Sequence, residues 1–335
     1  MEKIIPALMI VTLLCLGGVL VLGRRYIQRG AETPATGPRD HWPRVALIIP
    51  VAGRSPGLED HLRSRLRQEY PYYEVILVTG RQDDPATEVI SRLVAEFPRA
   101  RQVVSGPAQT CGQKNHNLLA GVREASEAAQ ILVFADANQI APKDWLAALV
   151  QPLVRDKAQV SSGFHHIIPQ DGRLATWGRL VTVLMIYLGK GIPGLDQPWG
   201  GATALGREVY QRLQLEALWS RTVVDDVTLA KKMRQARVSL TPATGAVLAT
   251  PAVESLASWQ AWLTRQLLYL KFYFFWPWLL AGVGIFTLLT LVLVSGGWIF
   301  GAGLGLAPWG RAAYGIFFLL GFTGFLAAAR SLHPA

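Results

Sequence analysis

Residues Ile4 to Leu22 are apolar or small throughout, apart from Thr12. Nineteen such residues, at about 1.5 Å of rise each, match the hydrocarbon core of a bilayer. Backbone amides in lipid have no water to bond, so this stretch can only be helix. Two later runs, Trp276 to Val294 and Ala312 to Ala329, meet the same test. A cleaved signal peptide is the rival for the first run, but its apolar region would be shorter and lead to a small-residue cleavage site. Here the run leads into Gly23-Arg-Arg-Tyr-Ile-Gln-Arg29, so residues 1–23 are expected to be an uncleaved anchor. Arg24, Arg25 and Arg29 place that end in the cytoplasm, with the amino terminus outside. Two returning helices in 276–335 then bring the chain back beside Arg330.

Composition agrees with an integral membrane protein. Of 335 residues, 51% are hydrophobic and only 17% charged. The net charge of +10 suits an anionic lipid surface as partner. Nucleic acid is not expected, since no zinc-knuckle spacing or arginine-rich tract is present. Cys15 in the first apolar run and Cys111 in the polar part allow no disulfide framework and no thiolate metal site, which fits a reducing, cytoplasmic face.

Residues 24–43 read as a linker, rich in Pro, Gly and Thr between Ala31 and His41. The polar domain, 44–257, opens on Val45-Ala-Leu-Ile-Ile-Pro50-Val, a buried strand stopped by proline. Leu58, Leu62 and Leu66 predict a helix, and Glu74 to Thr79 a second strand. Ala86 to Phe97 is the next helix, Arg101 to Ser105 a third strand, and Asn115 to Ala129 another helix. Ile131 to Ala135 is an uninterrupted apolar run that ends on Asp136, as a strand buried on both faces would. Strand and helix alternating at this spacing predict βαβ units and a parallel, doubly wound sheet. Further on, Val160 to Ile168 is strand-like and Leu174 to Leu188 a helix fit for the membrane surface. Trp199-Gly-Gly-Ala-Thr-Ala-Leu205 is Gly-rich, then strand-like; Val223 to Ala230 opens a helix; Val238 to Leu248 predicts two short strands. Residues 258–275 form an interfacial aromatic helix.

Three acidic sites fall at predicted strand or helix ends: Asp83/Asp84, Asp136 and Asp225/Asp226. Acids at the carboxyl edge of one sheet can converge on one crevice. Asp136-Ala-Asn138 offers a carboxylate and an amide oxygen two residues apart, suited to Mg²⁺ or Mn²⁺ carrying a diphosphate. Each site has a plain reading too. Asp136 and Asp225/Asp226 could cap helices, and Asp83-Asp84-Pro85 could be a turn. Lys114 and Asn117 precede or open a helix and could reach an anion or simply face solvent. His116, His165 and His166 read as satisfied surface or core histidines.

Taken together these motifs resemble a family. The pieces are Val45-Ala-Leu-Ile-Ile-Pro-Val, Tyr70-Pro-Tyr-Tyr-Glu-Val-Ile-Leu-Val, Asp83-Asp84-Pro85-Ala86, Lys114-Asn-His-Asn117-Leu, Asp136-Ala-Asn, Gly200-Gly-Ala-Thr-Ala-Leu-Gly-Arg207 and Asp225-Asp226. In that order the chain resembles inverting glycosyltransferases of the GT-A fold, family-2 type, and among them the membrane-bound ceramide glucosyltransferase group. The resemblance covers about residues 44 to 275 and implies a GT-A (Rossmann-like) α/β domain between one N-terminal and two C-terminal transmembrane helices.

By position, the resemblance implies these roles. Asp226 is the catalytic base, and Arg265, 39 residues later, is the arginine that offsets charge on the leaving diphosphate. Asp84 contacts the uridine part of the donor, and Pro50, Lys114, Asn117 and Asp136 also bind the donor. Asp136 and Asn138 hold the metal, and Trp199, Gly200, Gly201, Asp225, Trp262 and Gln266 lie on the acceptor side. Two departures stand out. Where relatives read Q/R-x-x-R-W, this chain reads Trp262-Leu-Thr-Arg265-Gln266, and Asn138 replaces a second Asp. The implied activity is transfer of a hexose, glucose first, from a UDP-sugar to a lipid hydroxyl of ceramide type at the cytoplasmic face of a bacterial inner membrane. Diacylglycerol, a hopanoid or a polyprenyl phosphate are alternative acceptors. A processive polysaccharide synthase is disfavoured, because three spans are too few to enclose a conduit. A catalytically silent membrane scaffold is the rival from another class.

Overall fold

The computed structural model describes residues 3–30, 42–155 and 158–332. They fall into two compact units that interleave along the chain. One holds Tyr26–Gly172 and Pro193–Val253; the other holds the described parts of Met1–Arg25 and Glu254–Ala335, together with Arg173–Ile192. Residues 31–41 of the expected linker lie outside the described residues.

The first unit is a seven-stranded sheet in the order β3-β2-β1-β4-β6-β5-β7. The strands are β1 (Val45–Val51), β2 (Tyr73–Thr79), β3 (Ala100–Val104), β4 (Ile131–Ala135), β5 (Val160–Pro169), β6 (Ala202–Gly206) and β7 (Leu240–Ala252). The first four are parallel, as the apolar runs and intervening helices predict. Alternate side chains of each run feed opposite faces. Val45, Leu47 and Ile49 of β1 join Val75, Leu77 and Val133 against α2 (Leu58–Leu66), α3 (Thr87–Glu96) and α5 (Trp145–Arg155). Ala46 and Ile48 join Ile76, Val78 and Phe134 against α4 (Gln113–Glu124), α8 (Leu215–Trp219) and α9 (Asp225–Gln235). Burial on both faces is why these strands read as continuous apolar runs.

Pro50 does not stop β1, which continues to Val51. β1 pairs with β4 only through Ile48, so proline's missing N–H breaks no ladder bond on that side. The chain runs outward from β1 to β3, then returns to place β4 on the other side of β1. That reversal opens a crevice at the carboxyl ends of β1 and β4.

Two features differ from the sequence expectation. β6 runs antiparallel to both β4 and β5, so the sheet is mixed rather than purely parallel. Its direction matters for the site, because Ala135 at the end of β4 pairs with Ala202 at the start of β6. Residues 240–252 form one long strand, not two short ones. A register break opposite Ser162 and Phe164 divides its pairing with β5 into two blocks.

The other unit contains α1 (Ile4–Gly30, which runs past Arg25 into the first unit), α6 (Leu174–Gly189), α10 (Leu256–Tyr273), α11 (Phe275–Gly303) and α12 (Trp309–Ser331). α1, α11 and α12 are each long and apolar enough to cross a membrane. Met9, Leu291 and Phe318 pack together from these three helices. A Cβ on Gly315 would meet the Ser295 backbone at 3.0 Å, and one on Gly321 would meet Leu13 at 2.8 Å. Small residues at such crossings let helices approach closely in lipid. α11 runs beyond the apolar stretch that ends at Val294, through Gly296 and Gly297, to Gly303. α10 starts at a capping box between Ser255 and Ser258, and none of its residues is buried within the protein. The remaining helix, α7 (Arg207–Arg212), follows β6.

Candidate active site

The crevice at the β4 edge collects four charged groups in the sheet unit. Asp136 follows β4 directly, and Asp225 and Asp226 form the first turn of α9. Lys114 is the second residue of α4. Its Nζ lies 2.9 Å from Asp136 Oδ1 and 3.0 Å from Asp225 Oδ2, and donates to the Gly200 carbonyl at 3.3 Å. Burial works against the charged ammonium, but Asp136, Asp225 and Asp226 outweigh it and hold the Lys114 pKa well above the usual lysine range.

Asp226 faces the opposite balance. Burial comes first and the Asp225 carboxylate second, and together they push its pKa up to about 6. Lys114 and two backbone amides work the other way. Those amides are Gly200 N, which donates to Asp226 Oδ2 at 3.1 Å, and Val227 N, which donates to Oδ1 at 2.7 Å. A fixed carboxylate with a pKa in this range is suited to take a proton near neutral pH.

Local sequence explains why these groups meet. The Gly112 amide donates to Thr222 O at 3.0 Å, and a Cβ on Gly112 would strike the Val223 carbonyl. The fully buried Asn115 donates to Thr222 O at 2.9 Å and to Thr222 Oγ1 at 3.1 Å. The start of α4 is thereby fastened to the loop leading into α9, with Lys114 between the two anchors. Antiparallel β6 supplies the third wall, where the Asp136 amide donates to Gly201 O at 3.4 Å. A Cβ on Gly200 would collide with Asp225 Oδ2 and lie 2.8 Å from Lys114 Nζ, so a larger residue would displace the tips of this ion pair. Sequence reading did not single out Gly112 or Asn115; polar residues at buried positions of a helix start were the signal.

The other expected site residues are placed as follows. Asp84 Oδ1 accepts from Gly53 N at 2.9 Å and Ala86 N at 2.8 Å, tying the loop after β1 to the loop after β2. Asp83 is an exposed partner of Arg81, and that guanidinium holds its carboxyl below the usual range. Pro50 lies near the end of β1. Asn117 is buried; its Oδ1 accepts from Ser105 Oγ and Gln113 Nε2, both at 2.7 Å, and its Nδ2 donates to Val78 O at 3.3 Å. Trp199 donates its amide to Ser162 Oγ at 2.8 Å. Its ring stacks on His165 with centroids 4.7 Å apart and covers Gly201. His116 Nε2 lies 3.0 Å from Ser105 O, an internal contact.

Among the described residues, no three His, Cys, Asp or Glu side chains group into a metal cage. Asp136 with the exposed Asn138 two residues on fits a different use, a hard cation shared with a ligand's phosphate oxygens.

A family model described as glycosyl transferase family 21 matches residues 7–291. The chain belongs to glycosyl transferase family 21. This family-21 chain is also 27% identical over 85 residues to ceramide glucosyltransferase 3 of Caenorhabditis elegans. The match takes in 25% of this chain and spans 18% of that protein. The mannosyltransferase PcManGT from Pyrobaculum calidifontis, solved with GDP-Man and Mn²⁺, superposes with a TM-score of 0.56 at 20% identity, covering 98% of each chain. Glucosyl-3-phosphoglycerate synthase of M. tuberculosis superposes at 0.44, with 18% identity, over 70% of this chain and 81% of that one. The mixed seven-stranded sheet is thus the GT-A fold.

Three expected site residues of the family-21 chain, Trp262, Arg265 and Gln266, lie on α10 in the unit with the apolar helices. Within that unit the Arg179 guanidinium lies 3.5 Å from the centre of the Trp262 ring. Arg179 also pairs with Glu254 at 3.5 Å. Burial lowers the Arg179 pKa to about 10, with Glu254 opposing and the Arg265 charge adding to the fall.

Proposed function

We propose that the chain is an inverting hexosyltransferase that moves a sugar, glucose first, from a UDP-sugar to a membrane lipid hydroxyl, ceramide type first. The observation that carries the reading is Asp226, a half-buried carboxylate pushed up to about 6 beside a Lys114–Asp136–Asp225 cluster. Asp226 takes the proton of the acceptor hydroxyl as its oxygen attacks the anomeric carbon. The bond to the diphosphate breaks in the same displacement, the electron pair leaves with the diphosphate, and the anomeric centre inverts. Gly200 N and Val227 N hold both carboxylate oxygens, so the base is oriented before the acceptor arrives.

Lys114 supplies positive charge at the diphosphate, and Arg265 is expected to add to it. Asp136 and Asn138 would hold Mg²⁺ or Mn²⁺. When bound, that cation offsets charge building on the leaving group. The amides of Gly53 and Ala86, gathered by Asp84, shape the floor for the uridine, beside Pro50 and Asn117. The resemblance assigns Trp199, Gly200, Gly201 and Asp225 of the sheet unit to the acceptor, and it assigns Trp262 and Gln266 of α10 the same role. The three apolar helices, the basic flank at Arg24, Arg25 and Arg29 and the apolar α6 support a catalytic domain on the cytoplasmic face of a membrane, which we assign to a bacterial inner membrane. An anionic lipid surface then faces the basic residues.

The test is a donor and acceptor screen of the full chain in detergent, with and without divalent metal. UDP-glucose and GDP-mannose would each be offered with ceramide, diacylglycerol, a hopanoid and polyprenyl phosphate. Release of UDP with formation of a glycosylceramide is the expected outcome. Product from another lipid moves the acceptor assignment, and no turnover of any pair supports the scaffold. Full activity after complete metal removal overturns the role given to Asp136 and Asn138.

A further inference from the structure

The segment that carries Asp136 and Asn138 is held along one side by α2. His61, Ser64, Arg65 and, just beyond the helix end, Gln68 recur at the spacing of one helix face. Ser64 Oγ accepts from Ala141 N at 3.0 Å, and Gln68 Oε1 accepts from Leu146 N at 2.8 Å. Gln68 Nε2 donates to Pro142 O at 2.8 Å, and Glu69 N donates to Lys143 O at 2.7 Å. Arg65 shares this face. Its side chain is 0% exposed, and its guanidinium carbon lies 3.9 Å from the centre of the Trp145 ring. Nε, Nη1 and Nη2 all lack a hydrogen-bond partner, and so does the buried Oε1 of Gln139 in the same segment.

The stack on Trp145 is not a sufficient reason for this arrangement. A cation–π contact with one ring stabilises a guanidinium by less than leaving its three buried nitrogens unpaired costs. Burial depresses the Arg65 pKa to about 9, and Asp136 is the charge that works the other way. Lys114 pairs with Asp136 directly, and the unpartnered Arg65 guanidinium lies on the helix face that holds the segment following Asp136.

We infer that Arg65 is a positioning residue of the donor site: a fixed, buried cation acting on Asp136 that disfavours a bare divalent ion there and favours a nucleoside diphosphate, so that the two enter together. This rests on the reading of Asp136 as part of the cation–diphosphate site. A merely structural arginine would not shift two ligands of opposite charge in opposite directions.

The full chain in detergent would be compared with Arg65→Met and Arg65→Lys. Mn²⁺ binding without nucleotide is read by electron paramagnetic resonance, and UDP binding in chelator by calorimetry. Arg65→Met should bind Mn²⁺ about tenfold tighter and UDP about tenfold more weakly, while Arg65→Lys stays within about threefold of the parent on both. Arg65→Gln carries the same test if Arg65→Met gives no cooperative melt. Constants that stay unchanged, or that both weaken, overturn the inference alone. A parent that binds no Mn²⁺, or whose binding survives Asp136→Asn, removes the reading of Asp136 and the inference with it.

Discussion

Asp226 sits where two demands conflict. A base must be charged to act, yet this one is half-buried beside the Asp225 carboxylate. Between the ordinary carboxylate value of 3.8 and about 6, the folded chain binds more protons at Asp226 than the unfolded chain does. Stability from this group is therefore full below the lower value and lost as pH rises through the upper one. Asp226→Asn should lose about 10²- to 10⁴-fold in turnover, yet melt a few degrees higher at pH 7.5, a gain that vanishes toward pH 4. Turnover and thermal melts across pH check both halves, and kcat/KM of the parent should rise with pH through about 6. Gly200→Ala tests the neighbouring contact. Its Cβ would meet only the tips of Asp225 and Lys114, which can yield, so melting should barely change while turnover falls about tenfold or more. The carboxylates were legible because each closes an apolar run or opens a helix. Arg65 was not: beside Leu62 and Leu66 it reads as the solvated flank of an amphipathic helix, and only packing shows that it is buried.

Among the elements, α4 matters most to the site, because it carries Lys114 to the acids of α9. Gly112→Ala would drive a Cβ into the Val223 carbonyl, which is backbone and cannot step aside. Asn115→Leu would strip Thr222 of its buried partner. Each should cost about 1–3 kcal/mol in denaturant unfolding, and each should weaken UDP binding more than Gly200→Ala does, since Lys114 moves with its helix. A Gly112→Ala protein as stable as the parent would refute the close approach. The parallel core β1–β4 could be read from the sequence, because burial on both faces leaves continuous apolar runs. The direction of β6 could not. A five-residue strand has the same pattern read either way, and the pairing of Ala135 with Ala202 is set by tertiary contact. The register break in β7 was hidden for a similar reason, since one strand with a bulge and two strands share one pattern.

For the whole molecule, the expected topology puts the amino terminus outside and the sheet unit in the cytoplasm. In intact cells a membrane-impermeant maleimide should label a Cys15→Ala protein carrying Lys3→Cys. The same protein without that added cysteine should be labelled, at Cys111, only after permeabilisation. Cys111 reacting in intact cells would invert the topology. The apolar runs, their lengths and their basic flank were all legible, because lipid imposes its constraint locally along the chain. The division into units was less so, since it depends on which distant segments pack together. The chain passes between them four times, at 25/26, 172/173, 192/193 and 253/254. This interleaving also orders synthesis. β5 ends at Pro169, and both strands that flank it, β6 and β7, are encoded after α6. The ribosome therefore delivers α6 while β5 still lacks either sheet neighbour, and at roughly 5–20 residues per second β7 follows several seconds later. During that interval the growing chain carries an unsatisfied strand edge, the kind of surface on which chains misassociate.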